Sequence, residues 1–269
     1  MKLLQQNRIL LSALLCFPLA AAACNTVPYT DRTQFSLLDS ATENQMGLQA
    51  YQEVLATEKI ITSGANAQMV KKIADRIAAA ADRDAADRGT KLNFNWQVVL
   101  IDSPAVNAWC MPGGKMGVYT GILSVTQSEA GLAVVMGHEV AHAIARHGGE
   151  RMSQQMGVDA ALTAVQMGLS KSSTATQQTV MTALGAGSQV GVLLPFSRSH
   201  ESEADHIGII LMAKAGYDPH EAPKLWERMS KLGGGGSPEF LSTHPSNETR
   251  IKELTALIPM AMQYYKPQK

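Results

Sequence analysis

Residues 132–144 read LAVVMGHEVAHAI and contain the motif that decides the fold, His138-Glu139-Val140-Ala141-His142. Residues four apart on an α-helix lie one turn above each other, so His138 and His142 can direct their imidazoles at one metal ion. Glu139 projects beside them, where it can accept a proton from a water at that ion. Two histidines and a glutamate in a buried apolar helix would be costly without such a use. The motif therefore predicts a metal-dependent hydrolase with Glu139 as its general base.

A catalytic zinc site needs a third protein ligand, and the best candidates lie in a second predicted helix at residues 199–205, SHESEAD. Glu201 and Asp205 are again one turn apart. If Glu201 binds the metal, Asp205 can hydrogen-bond a ligand histidine and fix its tautomer. Spacing alone does not choose between Glu201 and Glu203, and either side chain fits a solvated helix face equally well.

Three further histidines, His147, His200 and His206, lie near these two motifs in sequence. His147 follows His142 by five residues, which rotates it off the ligand face of a continuous helix. The other two flank Glu201 and Asp205 at offsets that point elsewhere. We therefore expect none of the three to have a direct role.

The composition favours one mostly helical domain without affinity for nucleic acid. The chain has 269 residues, 23 basic and 23 acidic, so its formal net charge is zero and no basic surface is predicted. Hydrophobic residues make up 45% and aromatic residues only 5%, a balance that suits packed helices. One core is sufficient for this length. We expect a mostly helical α+β domain over residues 41–269.

The local patterns divide this domain into helices around a small sheet. β-type residues predict antiparallel strands at 92–101, 106–111 and 116–120, with a break at Pro112-Gly113-Gly114. The segment 151–194 predicts two helices and a loop, which either cover a cleft or serve as an inert packing insert. Apolar periodicity predicts further helices at 41–58, 66–86, 126–147, 197–215, 221–232 and 247–257.

The N-terminal residues predict export and lipidation. Residues 1–23 combine a basic start, an apolar run and small residues, the pattern of a cleaved signal peptide. Cys24 follows Ala21-Ala22-Ala23, which resembles the bacterial lipobox and predicts acylation of that cysteine, although simple cleavage before it is the alternative. Asn25 favours the outer membrane by analogy with other lipoproteins. Residues 24–40 are then expected to be a lipid-anchored tether.

Cys110 is the one cysteine left for the folded domain, so no intramolecular disulfide is expected. It lies in the apolar run Trp109-Cys110-Met111 and is interpreted as a small buried hydrophobe rather than a nucleophile. The surrounding extended segment, 106–111, can present unpaired backbone groups at the rim of the cleft. Asn107, Ala108 and Trp109 are accordingly predicted to bind a substrate peptide as an added strand, with an ordinary hairpin strand as the alternative.

Four motifs in this order resemble those of a known enzyme family. HEVAH is followed, 59 residues after His142, by ESEADHIG, with NAWCMPGG upstream and STHP downstream. Together they resemble the HtpX-like zinc metallopeptidases, which include the CAAX prenyl proteases. The similarity covers roughly residues 41–257 and looks closest to the periplasmic LoiP- and BepA-type members. It implies a zincin-like fold.

The resemblance also implies site residues. It makes His138, His142 and Glu201 the ligands of one Zn²⁺ per chain, Glu139 catalytic, and Asp205 a support of the site. It places His244 of STHP and Arg250 at the cleft. His244 either stabilises the oxyanion, caps the zinc as a removable fourth ligand, or is structural. Arg250 is expected to hold that loop through a carboxylate or backbone carbonyls.

The predicted function is a zinc-dependent endopeptidase that cleaves unfolded or misfolded envelope polypeptides at the periplasmic face of the outer membrane. Such an enzyme would serve protein quality control as a lipid-anchored periplasmic protein of a Gram-negative bacterium. The main alternative is a lipoprotein chaperone or assembly factor that binds unfolded outer-membrane proteins with little turnover. Zinc-dependent amide hydrolysis in the cell wall is a third possibility that the resemblance disfavours.

Overall fold

A computed structural model describes residues 24–170, 172–188, 194–232, 239–245 and 248–267. The predicted signal peptide, residues 1–23, lies outside these residues. Within them, every helix is either too short or too polar to cross a bilayer.

Helices account for most of the described chain, as the composition predicted. Their bounds are α1 Ser40–Thr57, α2 Ala65–Asp87, α3 Leu123–Thr126, α4 Glu129–Ile144, α5 His147–Gly168, α6 Thr174–Ser188, α7 Leu194–Lys214, α8 Glu221–Ser230, α9 Glu239–Thr243 and α10 Glu248–Ala261. A 3₁₀ turn, Thr120–Ile122, precedes α3.

The strands form two sheets. Their bounds are β1 Cys24–Thr26, β2 Thr33–Phe35, β3 Ile60–Ile61, β4 Gln97–Ile101, β5 Ala108–Met111 and β6 Lys115–Tyr119. β1 and β2 pair with each other, and the other four strands form a sheet in the order β3-β4-β6-β5. The turn between β5 and β6 requires Gly113 and Gly114, whose φ angles are +80° and +79°.

The sheet is small, as predicted, and two of its pairs are antiparallel, β3 with β4 and β5 with β6. Its central pair, β4 with β6, is parallel, so the small antiparallel sheet that was predicted also contains one parallel pair. The difference arises because β6 inserts between β4 and β5, although β5 precedes it in the chain. Strand order of this kind is set by tertiary packing and not by local sequence. As a result, β5 lies at the edge of the sheet.

Helix α4 is the centre of the core. Every residue of this helix from position 131 to 144 is buried. It crosses α7 at a close contact between Gly137 of α4 and Gly208 of α7. A Cβ atom on Gly208 would lie 2.9 Å from the backbone nitrogen of His138. The missing side chains let the two backbones approach, so that ligands on both helices can meet.

The described residues cluster into two compact units. One contains Ser40–Gly148 and Leu194–Lys269, which holds the four-stranded sheet and helices α4 and α7. The other contains residues up to Asp39 together with Gly149–Leu193. The prediction of a tether at 24–40 followed by a single domain over 41–269 stays a prediction, and the strands β1 and β2 lie within residues 24–40.

In the second of these units, the β1–β2 hairpin is fixed by specific polar contacts. The Arg32 guanidinium makes a two-bond ion pair with Glu150, with distances of 2.9 and 2.7 Å. The Leu37 backbone nitrogen donates a hydrogen bond to the Ser153 hydroxyl at 2.9 Å. These partners are more than 110 residues apart in sequence, so local composition could not reveal them. The predicted pair of helices in 151–194 corresponds to α5 and α6.

Candidate metal centre

The start of α4 sets the orientation of the metal motif. The Ser128 side chain caps the helix by accepting a hydrogen bond from the Gly131 backbone nitrogen at 3.0 Å. Gln127, with φ of +59°, separates the short α3 from this helix, which therefore begins three residues later than predicted. His138, Glu139 and His142 all lie on its buried face, with exposures of 1%, 6% and 8%.

Four side chains from separate elements converge on one point. His138 and His142 come from α4, Glu201 from α7, and His244 follows α9; one potential ligand atom of each lies within 4.8 Å of all the others. The Nε2 atom of His138 is 3.1 Å from His142 Nε2 and 3.1 Å from His244 Nδ1. The Glu201 carboxylate lies 3.3 Å from both of these Nε2 atoms and 2.9 Å from His244 Nδ1.

These distances fit a zinc ion. Four ligands bound tetrahedrally at about 2.0–2.1 Å from zinc lie about 3.3 Å from one another. Unprotonated ring nitrogens that face each other at such distances repel unless a cation lies among them. Moreover, the Glu139 Oε1 atom is buried without a hydrogen-bond partner among the described residues, as expected beside a site for water. The set of two imidazoles and one carboxylate suits catalytic zinc, and His244 adds a fourth donor.

Electrostatics at the cluster favour positive charge at its centre. Burial opposes ionisation of Glu201, but hydrogen bonds with the three histidines outweigh it and hold the pKa of this carboxyl well below its usual range. Burial and Arg250 disfavour protonation of His138, yet the carboxylates of Asp205 and Glu201 raise the pKa of its imidazole to about 9. Burial holds the pKa of His142 well below its usual value. A metal ion can supply the positive charge that these carboxylates stabilise.

Asp205 supports the site from one turn beyond Glu201. Its Oδ1 atom lies 2.9 Å from His138 Nδ1, so it accepts a hydrogen bond from that nitrogen and leaves Nε2 to face the cluster. The Arg250 guanidinium donates two hydrogen bonds to the same carboxylate, at 2.6 and 2.7 Å. Although Asp205 is buried, Arg250 and His138 more than offset that burial and lower the pKa of its carboxyl.

Arg250 connects the cluster to the loop that carries His244. It donates to Glu201 at 3.1 Å and to the backbone carbonyl of Pro245 at 3.2 Å. Its guanidinium also stacks over the fully buried Trp226, 3.4 Å from the ring centroid. Arg250 is thus placed to hold the two carboxylates and the His244 loop together. Trp226 had no signal in the sequence beyond the amphipathic pattern of its helix.

Glu139 lies between the metal ligands and the edge strand. Burial raises the pKa of its carboxyl, and Glu201 adds to this effect while nearby cations partly oppose it. Its Oε1 atom is 3.4 Å from His244 Nε2. Glu139 and the β5 residues Ala108 and Trp109 line the same small cavity. The general base predicted from sequence is therefore adjacent to the predicted substrate strand.

The edge strand has backbone groups that face outward. The Tyr119 nitrogen donates to the Asn107 carbonyl at 3.1 Å. Because backbone groups alternate in direction along a strand, the N–H and C=O groups of Asn107 and Trp109 point toward β6, and those of Ala108 and Cys110 point outward. The Asn107 side chain accepts a hydrogen bond from the Ala108 nitrogen at 2.9 Å. The Trp109 ring packs against Gly117, where it would contact any Cβ atom. Burial raises the pKa of the Cys110 thiol, in keeping with an unreactive residue.

Sequence reasoning missed a polar contact behind His142. Its Nδ1 atom is 2.8 Å from His147 Nδ1, and His147 Nε2 is 2.9 Å from Glu203 Oε2. His147 is not a ligand, but it contacts one directly, contrary to the expectation from helical rotation. That expectation assumed a continuous helix, whereas α4 ends at Ile144. His200 stacks on His147 at 4.2 Å, and His206 lies outside the cluster of potential ligands.

Comparison with known proteins places this geometry in a family. The sequence profile of Peptidase family M48 matches residues 65–258. The mitochondrial metalloendopeptidase OMA1 of Arabidopsis thaliana is 43% identical over 162 residues, 60% of this chain and 31% of the relative. OMA1 of Schizosaccharomyces pombe is 33% identical over 240 residues, 87% of this chain and 66% of the relative. The beta-barrel assembly-enhancing protease of Escherichia coli is 28% identical over 242 residues, 88% of this chain and 48% of the relative.

These alignments differ in extent. The chain spans about a third of the plant relative and about half of the bacterial one. The matched profile includes both metal motifs, the edge strand and Arg250.

Proposed function

The chain belongs to peptidase family M48, and from that premise we propose that it is a zinc-dependent endopeptidase whose substrates are unfolded polypeptides. The observation that carries the proposal is the convergence of His138, His142 and Glu201 on one point, with Glu139 beside them. Two histidines and one carboxylate from two helices form the ligand set of many hydrolytic zinc enzymes.

In the proposed mechanism, His138, His142 and Glu201 hold the ion. When bound, Zn²⁺ would polarise the scissile carbonyl and make a nearby water more acidic. Glu139 accepts a proton from the attacking water and returns it to the leaving amine, and the raised pKa of its carboxyl suits this exchange. Asp205 keeps the proton of His138 on Nδ1, while Arg250 keeps Asp205 in place.

The proposed substrate class follows from the position of β5 at the edge of its sheet. A peptide that pairs with the outward carbonyl of Ala108 and with the outward groups of Cys110 would be held as an added strand beside Glu139. Pairing of this kind engages the backbone and reads no particular side chain. It also requires an extended peptide, so unfolded or misfolded chains would be preferred over folded proteins.

We further propose that His244 caps the metal in a latent state. Its Nδ1 atom belongs to the four-donor cluster, at the distance from His138 and Glu201 that a fourth ligand would have. A zinc ion with four protein ligands has no open position for water. Displacement of His244 would therefore be a step toward activity.

The proposed cellular setting is the periplasmic face of the outer membrane, where the enzyme would act in quality control of envelope proteins. The support comes from the export pattern of residues 1–23 and from the lipobox-like sequence before Cys24. The name of the Escherichia coli relative, a beta-barrel assembly-enhancing protease, agrees with this setting. The fungal and plant relatives are named as mitochondrial proteins, so the proposed location rests on the N-terminal sequence and the proposed activity rests on the metal site.

Removal and return of zinc tests the proposal. The purified chain is stripped with a chelator, dialysed, and incubated with casein alone, with Mg²⁺, or with one equivalent of Zn²⁺. We expect fragments only after zinc is returned. Zinc binding without cleavage, in both the parent and the His244→Ala variant, would favour the rival function of a lipoprotein chaperone that binds unfolded outer-membrane proteins. Digestion of purified peptidoglycan would instead indicate a cell-wall amidase.

A further inference from the structure

The two histidines of the metal motif use their second ring nitrogens differently. His138 contacts the Asp205 carboxylate directly, at 2.9 Å. His142 instead contacts the ring of His147 at 2.8 Å, and His147 in turn contacts Glu203 at 2.9 Å. His147 and Glu203 are 0% and 6% exposed, so this chain of contacts is shielded from solvent.

The directions of the hydrogen bonds follow from the metal site. A His142 that binds a metal through Nε2 has no proton on that atom, so its proton lies on Nδ1. This N–H donates to His147 Nδ1, which must then accept. His147 consequently carries its own proton on Nε2 and donates it to the Glu203 carboxylate. Each of the two contacts along this path therefore pairs one donor with one acceptor.

The backbone immediately before His147 has an unusual conformation. Arg146 has a φ of +55°, in the left-handed region that residues with a side chain seldom adopt. Its guanidinium is fixed by two contacts with the buried Glu43, at 3.1 and 2.8 Å. This residue breaks the path of α4, and the chain then turns His147 back toward the ring of His142. The His200 ring stacks on His147 with 13° between the planes, which restricts its rotation.

We propose that His147 and Glu203 are positioning residues that orient His142 for the metal and strengthen metal binding. The proposal rests on the zinc site described above. Both ligand histidines would then be backed by a carboxylate, one directly through Asp205 and the other through an intervening imidazole. Loss of such outer partners weakens metal affinity by about 10- to 100-fold in other metal sites.

Zinc affinity of the full chain, measured by competition with a chromogenic chelator, tests this role. His147→Phe retains a ring but has no acceptor, and we expect zinc affinity to fall by about 10- to 100-fold. His147→Asn places an acceptor oxygen near the Nδ1 position but gives up the contact with Glu203, so its loss of zinc affinity should be smaller than that of His147→Phe. Glu203→Gln should show an intermediate loss. His220→Phe removes an exposed histidine that also pairs with a carboxylate, Asp218, and should change nothing.

Thermal melting of each metal-free variant shows whether it is folded. Unchanged zinc affinity in folded His147→Phe would overturn the proposal, and so would an equal loss in His147→Phe and His147→Asn. If His147→Phe does not fold, Glu203→Gln decides: a weaker affinity supports the role and an unchanged affinity overturns it. Failure of the parent itself to bind zinc would refute the proposed metal site instead, which keeps the two results distinct.

Discussion

His244 has its Nδ1 atom among the potential metal ligands and its Nε2 atom 3.4 Å from Glu139 Oε1. Its ring therefore lies next to both the proposed metal site and the proposed general base. If it caps the ion, His244→Ala should bind zinc more weakly and yet cleave casein faster once zinc is saturating. Removal of a competing contact worth about 1.4 kcal/mol would raise the open population about tenfold. Initial rates at matched zinc occupancy provide the measurement.

His220→Ala is the matched control for that change, because His220 is exposed and belongs to no metal cluster among the described residues. A slower His244→Ala enzyme at full zinc occupancy would show that His244 stabilises the charge that develops on the substrate and does not cap the ion.

Arg250 is 5% exposed and contacts two buried carboxylates, Asp205 and Glu201. Arg250→Met should lower the free energy of unfolding of the metal-free chain by about 3–5 kcal/mol, because it leaves buried negative charge without its partner. Urea titration followed by circular dichroism measures the change. Lys71→Met removes an exposed ion pair with Asp75 and should cost less than about 1 kcal/mol. Similar small losses in both variants would refute the stabilising role.

At the scale of single residues, spacing along the sequence was sufficient to predict the metal motif on α4 but not the contacts around it. His138, Glu139 and His142 follow from a four-residue repeat on one helix. Spacing alone left Glu201 and Glu203 as alternatives, and the structure gives the two carboxylates different places, one in the metal cluster and one against His147. The contact between His142 and His147 depends on where the helix ends and on the positive φ of Arg146.

At the scale of elements, the site depends on how closely α4 and α7 cross. A Cβ atom on Gly208 would lie 2.9 to 3.0 Å from backbone atoms of Gly137 and His138, which cannot move as a flexible side chain can. Gly208→Ala should therefore push the helices apart, with a loss of about 1–3 kcal/mol in unfolding free energy. It should also weaken zinc binding, since His138 lies on the displaced turn.

Gly157→Ala is the control for this prediction, because no atom of the described residues lies within 4 Å of a Cβ atom at that helical position. It should raise stability by about 0.5–1 kcal/mol through the lower flexibility of the unfolded chain. Urea titration and chelator competition measure both variants. Full zinc affinity and stability in Gly208→Ala would contradict the requirement for a close crossing.

The helices and strands themselves were largely predictable, because apolar periodicity and turn residues are local signals. The predicted helix at 66–86 corresponds to α2, Ala65–Asp87, and the predicted strand at 116–120 to β6, Lys115–Tyr119. The order of strands was not predictable, since placing β6 between β4 and β5 depends on which edges pack against α4 and α1.

At the scale of the whole chain, the division into units depends on contacts between distant residues. Leu37 and Ser153 are 116 positions apart, and their hydrogen bond joins the segment predicted as a tether to the segment predicted as two helices and a loop. Arg32 in the predicted tether has a buried partner, Glu150, that only the folded chain reveals.

The central claim is that this chain hydrolyses peptide bonds with Glu139 as the general base. The most direct test is cleavage of casein by the zinc-loaded parent and by Glu139→Gln, run side by side with zinc content measured in both. We predict fragments from the parent, none above background from the variant, and equal zinc in the two proteins. Equal cleavage by both would contradict the role of Glu139, and no cleavage by a zinc-loaded parent would contradict the endopeptidase assignment.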